Sequence, residues 1–276
     1  MRPALRPVAA AFVGFGFFAG SFAVAAIDIE RTFRLSDAGL GFLLAVGILT
    51  ATAIAAIGGA LTDRIGASAL FVRALAVWGA LLLVEAGAPN LVLFVPAFAL
   101  ATGAGGLVDV VMNILAADAL STSPGRLVRF HGLFNAGAVM GAVFTGIVLR
   151  LDVSWRVVWA IVAIAAFATA VVAPRAHIPD PPRGDHVSMW RALVGLRHEG
   201  LLVLALVFAA SAIVEGGVAT WGVLYLRAHL GVGVLAGVGA YAVGAFLATL
   251  ARIGGGTRVG ALGTRRAVAI EYHSVT

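Results

Sequence analysis

Residues 38–66 read AGLGFLLAVGILTATAIAAIGGALTDRIG, and this stretch decides the fold. From Ala38 to Thr62 it carries no charge, and it closes on Asp63-Arg64 set between glycines. Roughly 20 apolar residues are enough to cross about 30 Å of hydrocarbon as a helix. The run has no two-residue alternation of apolar and polar side chains, so helix is favoured over barrel strand. Backbone groups find no water in lipid, and a helix satisfies them within one segment. Extending this reading along the chain predicts spans at 8–28, 38–61, 68–88, 91–117, 128–149, 156–174, 200–226 and 231–252. The first is uncharged from Val8 to Ile27. The third is the weakest, with Arg73 one turn inside, where it can snorkel to the interface, and Glu85 near the far end. Arg2, Arg6 and Ala23-Val24-Ala25 imitate a secretory signal, but the apolar core is long and leads straight into a second span. It reads as an uncleaved first helix.

Composition agrees. The chain has 276 residues, 61% hydrophobic and 12% charged, against roughly 25% charged in a soluble domain. Cysteine is absent, which excludes disulfides and thiolate metal sites. The 19 basic residues are all arginine, a bias of genome composition rather than chemistry. A net charge of +6 could suggest a nucleic-acid partner. The arginines, however, cluster in short gaps between apolar runs instead of on one face with aromatics, so none is expected. Fourteen of them fall on the side of the N-terminus and five (Arg31, Arg34, Arg150, Arg156 and Arg227) on the other. The positive-inside rule then predicts both termini in the cytoplasm and an inner-membrane location. Residues 174–199 form the one long polar connection, rich in proline and charge, in which Met189-Trp190-Arg191-Ala192-Leu193 suits a short interfacial helix. That connection divides the chain into a six-helix bundle (1–174), a central loop (175–199) and a two-helix part with a tail (200–276).

Two kinds of motif carry meaning. The first is the loop Gly59-Ala60-Leu61-Thr62-Asp63-Arg64-Ile65-Gly66, read as a tight turn with glycine at both ends. Asp63 there can cap or pair with a neighbouring helix end. Shifted by 197 residues, Gly58, Gly59 and Gly66 fall on Gly255, Gly256 and Gly263, a glycine frame after the eighth span that has lost the charges. The second is a set of polar residues inside spans, each a functional candidate because lipid makes it costly. Asp109 and Asn113 are four apart, hence on one helical face, and His131 and Asn135 repeat that spacing. Glu215 and Trp221 lie in the seventh span, and Asp28 closes the first. A carboxylate in hydrocarbon must be paired, hydrated or protonated. For the asparagines the competing role is helix-to-helix hydrogen bonding, and for His131 an interfacial position beside Arg129. Small-residue pairs such as Gly16 with Gly20 and Gly137 with Gly141 permit close helix approach.

The signature loop, with Gly59, Leu61, Asp63, Arg64 and Gly66 in place, resembles that of the major facilitator superfamily, although Ala67 and Ser68 replace its usual basic residues. The stretch from Gly106 through Asp109 to Asn113, then His131-Gly132-Leu133-Phe134-Asn135-Ala136-Gly137, is similar to spans four and five of fucose-permease-like members. Val214-Glu215-Gly216 with Trp221 resembles their span seven. The resemblance implies an all-α integral membrane protein: a six-helix N-terminal facilitator bundle plus the first two helices of a second half, the parallel repeat such proteins use. It also implies alternating access, with an acid in span four and one late in span one carrying protonation and substrate contact. Asp109 matches the first position and Asp28 the second more loosely.

The function expected is secondary transport of a small polar solute, sugar-like or drug-like, coupled to protons, without cofactor or metal. Asp109 is the principal linked carboxylate, with Glu215 next. The rival expectation is a truncated, non-transporting membrane protein, because the tail from Arg265 to Thr276 holds no further span. In that case the groove lined by Asp109, Asn113 and Glu215 would open to lipid and favour a homodimer. An intramembrane enzyme is disfavoured: the sequence has no His-Glu-x-x-His and no Gly-x-Ser-x-Gly.

Overall fold

The computed structural model describes residues 3–182, 194–195 and 201–262. Within them lie eight long helices: α1 Arg6–Phe33, α2 Asp37–Ile65, α3 Ala67–Gly87, α4 Leu91–Ala119, α5 Pro124–Arg150, α6 Trp155–Val172, α7 Leu202–Ala228 and α8 Val234–Leu262. All eight are long and apolar enough to cross a membrane. Each predicted span coincides with one of them. The expected interfacial helix at 189–193 and the tail beyond Leu262 lie outside the described residues.

The helix starts follow local chemistry. Ser36 Oγ accepts the Gly39 amide at 3.1 Å and Asn90 Oδ1 accepts the Leu93 amide at 3.1 Å, so each caps the helix that follows it. Pro7 in α1 and Pro124 in α5 sit in first turns, where the missing N–H costs nothing. Between α2 and α3 the turn is a single residue. Gly66 has φ 84° and ψ 144°, a conformation that excludes most side chains. The expected loop with glycine at both ends is therefore corrected: Gly59 lies inside α2, and Gly66 alone makes the turn.

Helix α1 is the most buried and runs through the centre, packing chiefly on α5, while α5 packs equally on α8. The pairs α2–α4, α3–α4 and α3–α6 complete the bundle, and α7 reaches α1. The α1–α5 crossing is built on glycine. Gly16 and Gly20 face the carbonyls of Phe134 and Ala138, and Gly137 and Gly141 face those of Val13 and Phe17. A Cβ at any of the four would collide with a backbone oxygen on the other helix. On the far side of α5 the contact is again backbone to backbone, since a Cβ on Gly256 would lie 2.6 Å from the Gly125 carbonyl oxygen.

That second contact explains another correction. Gly255 and Gly256 of the glycine frame, expected as a loop beyond the eighth span, lie within α8, which continues to Leu262, and Gly263 lies outside the described residues. Glycine weakens a helix by roughly 1 kcal/mol per residue, but here it lets α8 lie directly on α5, and the packing sustains the helix. Arg252 consequently sits inside α8 rather than at its end.

Two apolar clusters fill the bundle. One, around Phe12, Phe71, Trp78, Met112 and Leu115, joins α1, α3 and α4. The other, around Phe94, Phe98, Trp155 and Trp159, closes the end away from the N-terminus. There Arg156 donates to the Ala86 carbonyl at 2.7 Å and lies 4.7 Å from the Trp155 ring centroid. Helices α2, α7 and α8 leave long apolar faces exposed, as lipid allows.

Candidate functional site

At the α4–α5 interface three polar side chains form a chain of bonds. Asp109 and Asn113, one turn apart on α4, are half-buried. Asn113 Nδ2 donates to the Asp109 backbone carbonyl at 2.9 Å and to Asp109 Oδ1 at 3.0 Å. Asn113 Oδ1 lies 2.8 Å from His131 Nε2 on α5. The other ring nitrogen, Nδ1, lies 2.9 Å from the Leu127 carbonyl oxygen. Phe12 of α1 packs edge-to-face on the imidazole, with centroids 5.3 Å apart. Three helices thus meet around one polar chain. Asn135, one turn further along α5, is buried at 4% exposure with no partner for Nδ2 among the described residues.

The remaining sequence candidates are placed elsewhere. Asp28, at the last turns of α1, pairs with Arg227 of α7: Nη1 donates to Asp28 Oδ2 at 2.9 Å and also to the Val24 carbonyl. The guanidinium side chain is 5% exposed, so this is a buried ion pair across two distant helices. Glu215 is exposed on α7 and faces Arg252 of α8 at 3.6 Å. The edge of the Trp221 indole reaches α2, 3.8 Å from where a Cβ at Gly41 would stand.

At the signature loop the chain doubles back on itself. Asp180 Oδ1 accepts the Ser68 amide at 2.7 Å, and Oδ2 lies 2.6 Å from the place a Cβ of residue 66 would occupy. A cavity of about 320 Å³ there is lined by Thr62, Asp63, Gly66, Ala67, Asp180, Pro181 and Pro182. Ser68, where the resemblance departs from its pattern, meets Asp180 through its backbone amide, and Ala67 lines the same cavity. Leu61 packs against the first apolar cluster, Asp63 lines the cavity, and Arg64 lies in the last turn of α2. Gly59 has open space around its Cβ position.

Sequence reasoning missed three participants. Arg227 and Arg252 were legible only as topology charges, yet each pairs with a candidate acid. Glu85 reads as a flaw in the third span, and the structure buries it completely, with both carboxyl oxygens unpartnered among the described residues. An acid inside an apolar run was the signal available; its burial was not.

A family model described as Major Facilitator Superfamily matches residues 8–272. The chain is also similar to a "Membrane protein MosC" of Rhizobium meliloti, with 26% identity over 267 residues. The match takes in 94% of this chain and 64% of that relative, so the chain spans less than two thirds of the curated protein.

Proposed function

Because the chain belongs to the major facilitator superfamily, we propose that it is a secondary transporter of a small polar solute, driven by protons through alternating access. It would work in the inner membrane with both termini in the cytoplasm, its six-helix part facing α7 and α8 across the central loop. The solute is sugar-like or drug-like, and the fucose-permease-like branch is the nearest pattern, on Asp109, Asn113, His131 and Asn135. The observation that carries this reading is the Asp109–Asn113–His131 chain between α4 and α5. A carboxylate and an imidazole are linked inside a helical bundle, where lipid penalises the charge of each. They suit a site that gains and loses a proton while neighbouring hydrogen-bond donors meet a polar solute.

The test is uptake into proteoliposomes with and without an imposed pH gradient, across a panel of sugars and polyols. Accumulation is expected only with the gradient. Asp109→Asn keeps the shape and removes the charge, so gradient-driven accumulation should fall to the level seen without a gradient, at unchanged protein content. Accumulation by that variant equal to wild type would remove Asp109 from the mechanism.

A further inference from the structure

We propose that the proton exchanged at this site rests on His131, as an imidazolium whose counter-charge, Asp109, reaches it through the amide of Asn113. The inference deepens the proton-coupled reading and rests on it. It follows from which atoms can donate. Asn113 Nδ2 lies against two Asp109 oxygens, the backbone carbonyl at 2.9 Å and Oδ1 at 3.0 Å. Turning the amide over would place Asn113 Oδ1 against that carbonyl, and two carbonyl oxygens both only accept. The amide orientation is therefore set by the α4 backbone, and Oδ1 faces His131 Nε2 at 2.8 Å. His131 Nδ1 meets the Leu127 carbonyl oxygen at 2.9 Å. Both ring nitrogens thus face acceptors. A neutral imidazole has one donor and one acceptor nitrogen, and only the imidazolium has two donors.

Removal of that proton leaves a lone pair facing an oxygen, at Nε2 or at Nδ1 according to the tautomer. Either contact is repulsive at hydrogen-bond distance, so the side chains joining α4 to α5 must rearrange. Proton release would thereby be tied to a change at a helix interface, which an isolated carboxylate does not provide. Asn113 acts as a positioning residue, since it transmits the Asp109 charge and fixes the acceptor. The imidazole is surrounded by groups from α1, α5 and α8. From α1 the imidazole meets the Phe12 ring, and on α5 Arg129 lies on the exposed side. From α8, Thr249 stands 4.0 Å from the Cβ position of Gly132, and Arg252 reaches Glu215 at 3.6 Å through Nη2 while its Nη1 is buried with no hydrogen-bond partner among the described residues.

The experiment is nitrogen-15 NMR of the full chain in lipid, with histidine ring nitrogens labelled. The signal of His131 is assigned by its loss in His131→Gln or, if that variant does not fold, by replacing the other histidines. At pH 7.5 His131 should show two protonated nitrogens. In Asp109→Asn and in Asn113→Leu one of the two should become unprotonated, while Asp109→Glu should keep both. An unprotonated nitrogen on wild-type His131 at that pH would overturn the assignment, and so would two protonated nitrogens in Asp109→Asn. If His131 is neutral while uptake still follows the pH gradient, this inference falls and the transport reading stands. If His131 is charged while uptake ignores the gradient, the proton-coupled reading falls and the protonation assignment stands.

Discussion

At the residue scale, the Asp28–Arg227 pair shows how lipid changes the weight of a charge. Arg227 sits in the last turn of α7 and is buried against α1, where its guanidinium meets one carboxylate and one carbonyl. Removing one partner of such a pair strands the other, at a cost of about 3–5 kcal/mol in proteins generally. Asp28 retains 23% exposure, which places the effect at the lower end. Arg227→Met and Asp28→Asn should each lower the thermal stability of the detergent-solubilised protein, and Asp28→Asn should lower it more because it strands the more deeply buried charge. The double variant should recover most of the loss. A double variant as unstable as the sum of the singles would show that the two residues act independently. Glu215 differs in kind: it is exposed and 3.6 Å from Arg252, and a pair in such a setting contributes about 1 kcal/mol or less.

At the element scale, glycine does opposite things at different positions. In α1 and α5 it allows backbones to touch, and a methyl group has nowhere to go. In α7 and α8, Gly216, Gly244 and Gly254 have nothing within 4 Å of a Cβ position. Gly137→Ala should therefore destabilise by about 1–3 kcal/mol through overpacking against Val13. Gly254→Ala should be neutral or stabilise by up to about 1 kcal/mol from helix propensity. Melting temperatures measured side by side in one detergent decide this, and equal effects at both positions would mean that the α1–α5 crossing does not depend on close approach. Gly66 is a third case. Its positive φ and the nearby Asp180 carboxylate both forbid a side chain, so the one-residue turn from α2 to α3 and the Asp180 contact are built on the same atom's absence.

At the scale of the whole molecule, the arrangement is α1 at the centre, α5 between α1 and α8, and α7 joined to α1 by an ion pair. The proposed orientation in the membrane rests on the arginine count, and the absence of cysteine makes it testable. Single cysteines at Ser36, Asn90 and Ser154 should react with an impermeant maleimide added to intact cells, while those at Ser123 and Ser188 should react only after lysis. The reverse pattern would invert the topology. The same set reports on both ends of the bundle, because Ser36, Asn90 and Ser154 precede α2, α4 and α6.

The sequence by itself determined the eight spans, since a run such as Val8 to Ile27 leaves its backbone no alternative in lipid. It also marked Asp109, Asn113 and His131, because polar residues in hydrocarbon stand out against their neighbours and four-residue spacing places two of them on one face. The Gly16/Gly20 and Gly137/Gly141 pairs announced a close crossing without saying which helices meet. Only the tertiary structure decided that α1 meets α5, that Asn113 bridges Asp109 to His131, and that Arg227 answers Asp28 across 199 residues. It also decided that Gly256 belongs to a helix, since a glycine-rich segment has weak preferences of its own and takes its conformation from the Gly125 backbone it packs on. Periodicity and hydropathy are local quantities and can be read along a chain. Pairing between helices depends on where the chain returns, and that is settled by packing.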